Sequence, residues 1–598
     1  MDRYLPTGNE TISLPKINEL TAGIEDFTYL SMQHKGLIEV RGSNSKPFIQ
    51  PFIVINGKET PLTNLKWHRE RYWIPACCAN AGDLRFTMTV LTPVGERGFA
   101  IKLCLMSDKP VSVTWGLRGC WDSSWHCINE DKPLEGSVHC YQSPWNSSII
   151  FDFRCGAPMF SFAPMSSKET TSEYTIDNNA VSYSLFASET LTGEKPAELI
   201  FYWGLGYEEV AAATSAKEML RRGWDWEYTR TVKWLEQRIT PMPTPKLTEI
   251  YNTNLFFCIF YSTGITMDTE ELVCATSRGT RYYVSAAYWD RDVLLWAFPA
   301  ILDADPELAE EILHYVFGRQ RKNLGIHSRY IDGTVLEPGF ELDELMAPIL
   351  ALEAYVSKTD DRTILQNADV QKGIHLILKT LDCMRHPHIA LYETFLQPTD
   401  DEIVHPYLTY NNVLVWRALK ALAKLYPETH ATLGSDADEV RDAVYAHCVF
   451  LDEKQKPYFA WSVNLNGQHN IYDEPPGSLQ LLPYYGFCAA NDPVWRNTVS
   501  IIRSPAYAYS FANAPIAEIG CAHAPYPWIL SLCNSLLCGH EEQAFRELEI
   551  VKMDNGIACE SVDPIDGTCT TGAAFATCAG FLCHSMKTAA NKENVYAQ

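Results

Sequence analysis

The hydrophobic period of this chain changes once, and that change limits its fold more than any other feature. Up to about residue 206, short runs rich in β-branched and aromatic residues follow one another. They include FIQPFIVING (48–57), RFTMTVLTP (85–93), GFAIKLCLM (98–106), VSVTWGLRG (111–119), SIIFDFRC (148–155), AVSYSLFAS (180–188) and AELIFYWGLG (197–206), many of them separated by Gly, Pro, Asn or Asp. Strand signals at this density, with no long helical pattern between them, predict an N-terminal antiparallel β-sandwich over residues 1–206. Residues 208–239 then show helical periodicity, interrupted near Gly223, and are followed by TPMPTPK with Pro241, Pro243 and Pro245. Prolines so close together cannot continue a helix, so residues 207–246 read as a helical linker and a Pro-rich joint.

From Leu247 the pattern is helical to the end. Residues 247–598 have room for about twelve helices with their loops. Runs such as DVLLWAFPAILDA and APILALEAYVSK are apolar on all sides, as the inner helices of a two-ring toroid must be. The expected fold is multidomain: an antiparallel β-sandwich followed by an all-α unit, which the helix count and a family resemblance, rather than any exact repeat, make an (α/α)6-type toroid. In such a toroid, loops at one end form a cup where function concentrates.

Charge and cysteine usage narrow the function classes. With 49 basic and 73 acidic residues the net charge is −24, a surface that repels phosphate backbones, so nucleic acid is not expected as a partner. No apolar run reaches the roughly 18–20 residues of a membrane span, and the first residues lack the apolar core of a secretory signal. The 19 cysteines show no CxxC pair and read as reduced, mostly buried small hydrophobes in a cytoplasmic protein. Neither a metal nor a cofactor is expected, and assembly into a homo-oligomer is left open. Sixteen Trp and 30 Tyr suit a sugar site, because the C–H faces of sugars pack on aromatic rings, although aromatics are equally core residues.

Cleavage of a glycosidic bond needs two carboxyl groups, one to protonate the leaving oxygen and one to activate water or attack. Asp343 lies in PGFELDELMAPILAL (338–352) with Glu341 and Glu344; neighbouring acids disfavour a further negative charge, which suits a general acid. The same acids could instead complement a helix N-terminus. Glu560, with Asp563 and Asp566 as alternatives, lies in NGIACESVDPIDG (555–567) between a Gly turn and a Pro/Gly-rich loop. Trp289, Asp290, Arg291 and Asp292 form a charged group inside an apolar stretch; they read either as a buried ion pair or as partners for vicinal hydroxyls. Asp400, Asp401, Asn411 and Asn412 in 397–412, and Glu518, His523 and Trp528 in 518–530, add polar and aromatic groups.

In this order the segments resemble glycoside hydrolase family 125, exo-α-1,6-mannosidases with an (α/α)6 barrel. The resemblance runs collinearly through WDRD (289–292), FELDEL (340–345), PTDD (398–401), Asn412, SLQLLPY (478–484), GCAH (520–523) and the pair Glu560-Ser561. It implies Asp343 as general acid, Glu560 as general base, inversion of configuration without a metal, and a one-sugar cup. Arg291, Asp292, Asn412 and His523 would grip hydroxyls there, Trp289 and Trp528 would form the platform, and Asp290, Glu341, Asp400 and Asp401 would complete the binding set. The chain departs from that family at Cys559, where it has His, at Glu344, often Ser, at Asp290, an apolar position, and at Val293, where it has Ser. The first 240 residues have no counterpart in that family. The whole arrangement looks like bacterial glucoamylases, α-glycoside phosphorylases and the wider six-hairpin glycosidase group.

The expected function is an exo-acting, inverting hydrolase that removes a terminal α-linked hexose, mannose or glucose, from small oligosaccharides. Two alternatives stand beside it: an inverting phosphorylase using phosphate in place of water, and a non-catalytic carbohydrate-binding protein on a glycosidase scaffold.

Overall fold

The structure, a computed structural model, describes residues 3–144, 146–193 and 195–591. Its contacts divide into two compact units. The first comprises 1–239, 263–273 and 278–286, and the second comprises 240–262, 274–277 and 287–598.

The first unit is built from antiparallel sheets of six, eight and five strands. Alternation makes them: in Leu84–Leu91 the side chains of Leu84, Phe86, Met88 and Val90 are buried, while Arg85 and Thr87 face out. The inward aromatics meet in one cluster, with Phe151 stacked on Phe162 at 4.6 Å and Trp121 edge-on to Phe162 at 4.9 Å. Four strands, Tyr4–Gly8, Ile12–Asn18, Asp26–Ser31 and Gly36–Arg41, fall in the first 47 residues, ahead of the first strand run singled out above. Two helices, Glu209–Arg222 and Trp224–Glu236, follow the sheets and are separated by Gly223 at φ 82°. The first lies so close to the sheet that a Cβ on Gly204 would stand 2.1 Å from the carbonyl oxygen of Ala212. Both helices therefore group with the first unit, and the division in sequence falls between Ile239 and Thr240. Pro245, the last of the three prolines, opens the helix Pro245–Ser262, where its missing N–H costs nothing.

In the second unit, helices buried on nearly every side alternate with amphipathic ones. Leu342–Thr359, Thr409–Leu425, Ile529–Leu537 and Ala576–Asn591 are the buried kind. Pro306–Tyr315, Ala368–Met384, Leu433–His447, Pro493–Ile502 and Glu541–Leu548 bury one stripe each. The buried elements form a ring. The segment 291–304 packs on Leu342–Thr359, which packs on Thr409–Leu425; Ile529–Leu537 packs on Ala576–Asn591, which returns to 291–304. The arc between Thr409–Leu425 and Ile529–Leu537 is spanned by the 3-10 turns Pro475–Gly477 and Leu479–Leu481 rather than by a long helix. They are tied in by Tyr410 and Tyr485, whose hydroxyls lie 3.1 Å apart, and by Asn534, which donates to the Pro475 carbonyl at 3.0 Å. This is the expected sandwich followed by an all-α, toroid-like unit. Among the described residues no helix is long and apolar enough to cross a membrane.

Candidate active site

The buried elements of the ring contribute their N-terminal ends to one site. Asp290–Asp292 stand at the start of the π-helical turn Arg291–Ala297, Glu341–Glu344 at the start of Leu342–Thr359, and Asn411 and Asn412 in the first turn of Thr409–Leu425. Trp528 caps Ile529–Leu537, and Thr577 lies in the first turn of Ala576–Asn591. Helix N-termini carry partial positive charge, which favours the acids gathered there.

Arg291 is the centre of the group and is buried. Its Nη1 donates to Glu341 Oε2 at 2.5 Å and to Asp343 Oδ2 at 3.2 Å, and lies 3.7 Å from Glu344 Oε1. Nη2 donates to Asp400 Oδ1 at 2.6 Å, and Nε lies 3.6 Å from Asp292 Oδ1. Five carboxylates crowd this one guanidinium, and among them Asp292, Glu341, Asp343 and Glu344 hold their protons more tightly than free carboxyls. Burial raises the Asp343 carboxyl above its ordinary range, against the pull of Arg291. Burial also pushes Glu341 up to about 7, opposed by Arg291 and reinforced by the charge of Asp400, and pushes Asp292 up to about 7. Asp292 accepts from the Thr577 hydroxyl at 3.1 Å.

Asp343 meets the amide nitrogen of Asn411 at 3.4 Å. Among the described residues, the carbonyl oxygen of Asn411, the indole N–H of Trp289 and Nε of Arg291 are buried polar atoms without a hydrogen-bond partner. Buried polar atoms of this kind can pair with the hydroxyls of a ligand.

Glu560 is buried on the stretch that precedes the strand Ser561–Val562. Its Oε1 accepts from the Thr571 hydroxyl at 2.8 Å, and its backbone carbonyl accepts from Ile529 N–H at 3.0 Å. The Cys578 thiol feels charges from both acids. Burial, a neighbouring Cys533 and the carboxylates of Asp292 and Glu560 all push it well above the ordinary thiol range. Trp528 pairs in an isolated bridge with Ser561, and its ring stands edge-on to His523 at 6.2 Å. His523 Nδ1 lies 3.3 Å from Asp401 Oδ2, next to Asp400 on the loop 397–401.

Two residues expected to grip substrate are taken up by the protein itself. Asp290 accepts from Arg329 and, at 2.6 Å, from the Tyr288 hydroxyl, and it is fully buried. Asn412 accepts from Tyr392 N–H at 2.8 Å and donates to the Tyr392 and Leu408 carbonyls at 3.1 and 2.9 Å. Asn411 is the asparagine that reaches Asp343. Three acids in the same segments are held in local or closed networks. Asp563 accepts the N–H groups of Ile565 and Asp566, Asp566 pairs with Lys552 at 2.7 Å, and Glu518 is enclosed by Arg503, Ser531 and Ser535.

Reading the sequence missed His327, Arg329 and Glu474. His327 and Arg329 stand on one face of the strand Ile326–Arg329, which pairs with Val335–Phe340 across an Asp332-Gly333 turn. The Asp-Gly turn and the i, i+2 spacing were the available signals. His327 lies against Glu341, Glu337 and Asp400. Burial disfavours its charge, but hydrogen bonds to Glu337 and Glu341 raise it to about 10. Ligand-capable atoms of His327, Glu341 and Asp400 lie within 4.8 Å of one another. Because Glu341 and Asp400 already bond Arg291, this is an ion-pair network. Glu474 accepts from Thr399 N–H at 3.0 Å and from its hydroxyl at 2.9 Å, holding the loop that carries Asp400 and Asp401.

Residues 382–586 match the profile of the family described as metal-independent alpha-mannosidase (GH125). No curated protein sequence matches the chain. Among solved structures, a bacterial glucoamylase complexed with acarbose is similar over 100% of this chain and 96% of its own, with TM-score 0.66 and 12% identity. A candidate kojibiose phosphorylase from the human microbiome is similar over 98% and 86%, with TM-score 0.61 and 10% identity. A metal-independent α-mannosidase from Streptococcus pneumoniae, in a non-productive complex with α-1,6-mannobiose, covers 60% of this chain and 97% of its own, with TM-score 0.52 and 16% identity. At these identities the likeness establishes the fold: a β-sandwich joined to a six-hairpin helical ring.

Proposed function

We propose that this chain is an exo-acting, inverting glycoside hydrolase that removes a terminal α-linked hexose, mannose or glucose, from small oligosaccharides. One observation carries the reading: Asp343 is a buried carboxyl with its basicity raised, held by Arg291 beside buried polar atoms at the N-terminal ends of the ring. Such a group holds its proton more tightly than a free carboxyl and can give it to a leaving glycosidic oxygen. Glu560, on the stretch before Ser561–Val562 and with its backbone carbonyl accepting from the Ile529 N–H, takes the part of the base that activates water. Inversion requires roughly 6.5–9.5 Å between the two carboxyl groups. Arg291, Asp292, Asn411 and Trp289 are the groups assigned to the sugar hydroxyls, with Trp289 and Trp528 as apolar walls. The profile match over 382–586 and the likeness to an α-mannosidase and a glucoamylase support the class of reaction.

A panel of α-linked mannosyl and glucosyl disaccharides, followed by NMR of the anomer first released, tests this. Release of the β-anomer by the parent is expected, with losses of about 10²–10⁴-fold in Asp343→Asn and Glu560→Gln while the fold persists. Full activity in either variant refutes the assignment. The phosphorylase reading predicts a sugar 1-phosphate only when phosphate is present. The crowd of carboxylates around Arg291 works against it, because they repel a second anion.

A further inference from the structure

Both ring nitrogens of His327 face carboxylates. Nδ1 lies 2.7 Å from Glu341 Oε1 and 3.5 Å from Asp400 Oδ1, and Nε2 lies 3.3 Å from Glu337 Oε2. Ionised carboxylates only accept hydrogen bonds, so a ring placed this way is held with both N–H groups present, as an imidazolium. Glu341 and Asp400 are also the two groups that take the shortest bonds from Arg291. Glu341 is shared oxygen by oxygen, Oε2 to the guanidinium and Oε1 to the imidazole. Asp343 has the longer 3.2 Å bond from Arg291, the 3.4 Å contact with Asn411 and a bond from its own backbone N–H. Trp289 meets the His327 ring edge-on at 5.7 Å and fixes its plane.

We propose that His327 is a positioning residue: a second cation that shares Glu341 and Asp400 with Arg291, and so leaves Asp343 loosely paired and able to keep its proton. The proposal rests on the hydrolase reading with Asp343 as the acid. The charged groups facing the imidazole are Glu337 on its own hairpin, Glu341 at the N-cap of Leu342–Thr359 and Asp400 on the loop 397–401. Arg291 stands behind Glu341 and Asp400. Without the imidazolium, Glu341 loses one of its two cationic partners and takes up a proton more readily. A protonated Glu341 no longer holds Arg291 Nη1, which turns to Asp343. Asp343 then ionises at lower pH and stops acting as an acid earlier.

The test is the pH profile of kcat/KM in His327→Gln. Its basic limb is expected to move down by about one pH unit, with the midpoint of thermal unfolding shifted by only a few degrees. An unmoved limb, or one moved upward, overturns the proposal. A second measurement needs neither turnover nor a disruptive variant. In histidine-labelled protein, the resonance that responds to Glu337→Gln, at a half-exposed position, is assigned to His327. Both its nitrogens are expected to stay protonated at pH 8, with the titration moved to lower pH in Glu337→Gln. A neutral ring at pH 8 in the parent overturns the proposal. Lack of glycosidase activity in the parent, with the imidazolium intact, sinks the hydrolase reading and leaves the clamp standing.

Discussion

Arg291 Nη2 meets Asp400 Oδ1 at 2.6 Å, and this bond joins the loop 397–401 to the π-helical turn that begins at Arg291. A guanidinium can fork toward Glu341, Asp343 and Asp400 at once, whereas an ammonium is a point charge. Arg291→Lys is therefore expected to keep the fold and lose about 10²–10³-fold in kcat/KM. Arg291→Met leaves buried carboxylates without their cation, and its unfolding free energy is expected to fall by about 3–5 kcal/mol in urea titrations. Equal stability of the Lys and Met variants contradicts the central role of the charge.

Asp292 couples stability to pH. Its folded-state carboxyl is raised to about 7 from an ordinary value near 3.8, chiefly by burial. A folded form that holds its proton more tightly than the unfolded chain gains stability below the unfolded value and loses it as pH climbs toward 7. Asp292→Asn removes that loss, which is at most about 4 kcal/mol and is offset by the missing partner for Arg291. Relative to the parent, the variant's thermal midpoint is expected to rise by about 2–4 °C between pH 5 and pH 8. A difference that does not change with pH over that interval contradicts the assignment.

Glu344 works on the backbone. Its carboxylate accepts from the N–H groups of Asp290 and, at 3.1 Å, Arg291, so it caps the turn that presents the guanidinium. Burial raises it well above the usual carboxylate range, against the pull of Arg291, and the charges of Asp290, Glu341 and Asp343 add to the rise. A neutral isostere keeps one of the two acceptors. Glu344→Gln is expected to cost about 1 kcal/mol, and Glu344→Ala about 3 kcal/mol through two buried N–H groups left unpaired. Urea midpoints of the two variants measure the gap, and identical midpoints refute the capping role.

The fold was legible where pattern is local. Strand alternation and helices apolar on every side gave both layers, and Gly223 marked the helix break it makes at φ 82°. The four strands before residue 47 were harder, because their buried residues include Thr7, Ser13, Thr28 and Glu39 rather than a plain apolar run. Asp343, Arg291 and Asp400 were legible as acids and a base in unusual apolar or loop settings, and they do converge. Asp290 and Asn412 were legible as polar groups but not as saturated ones, because Arg329 and Tyr392 reach them from distant segments. His327 carries only the Asp-Gly turn and strand spacing of its hairpin, and Glu474 carries no local mark. Each is defined by partners on other segments.

Glu474 gives the sharpest separation of binding from chemistry. It holds Thr399 by two hydrogen bonds, at 3.0 and 2.9 Å, and touches neither Asp343 nor Arg291 among the hydrogen bonds and ion pairs of the described residues. The held loop carries Asp400, bonded to Arg291, and Asp401, bonded to His523. Truncation to Ala leaves the Thr399 N–H without its acceptor and gives the loop room to shift, which costs the ordering of two side chains each time substrate binds. Glu474→Ala is expected to raise KM about 10-fold while kcat changes less than about 3-fold. Glu474→Gln keeps one acceptor and should stay within about 2-fold of the parent in both. Limited proteolysis should open the chain near residues 397–402 in the Ala variant first. An equal loss of kcat and kcat/KM in Glu474→Ala would instead put Glu474 in the transition state, and the loop-anchor role would be wrong.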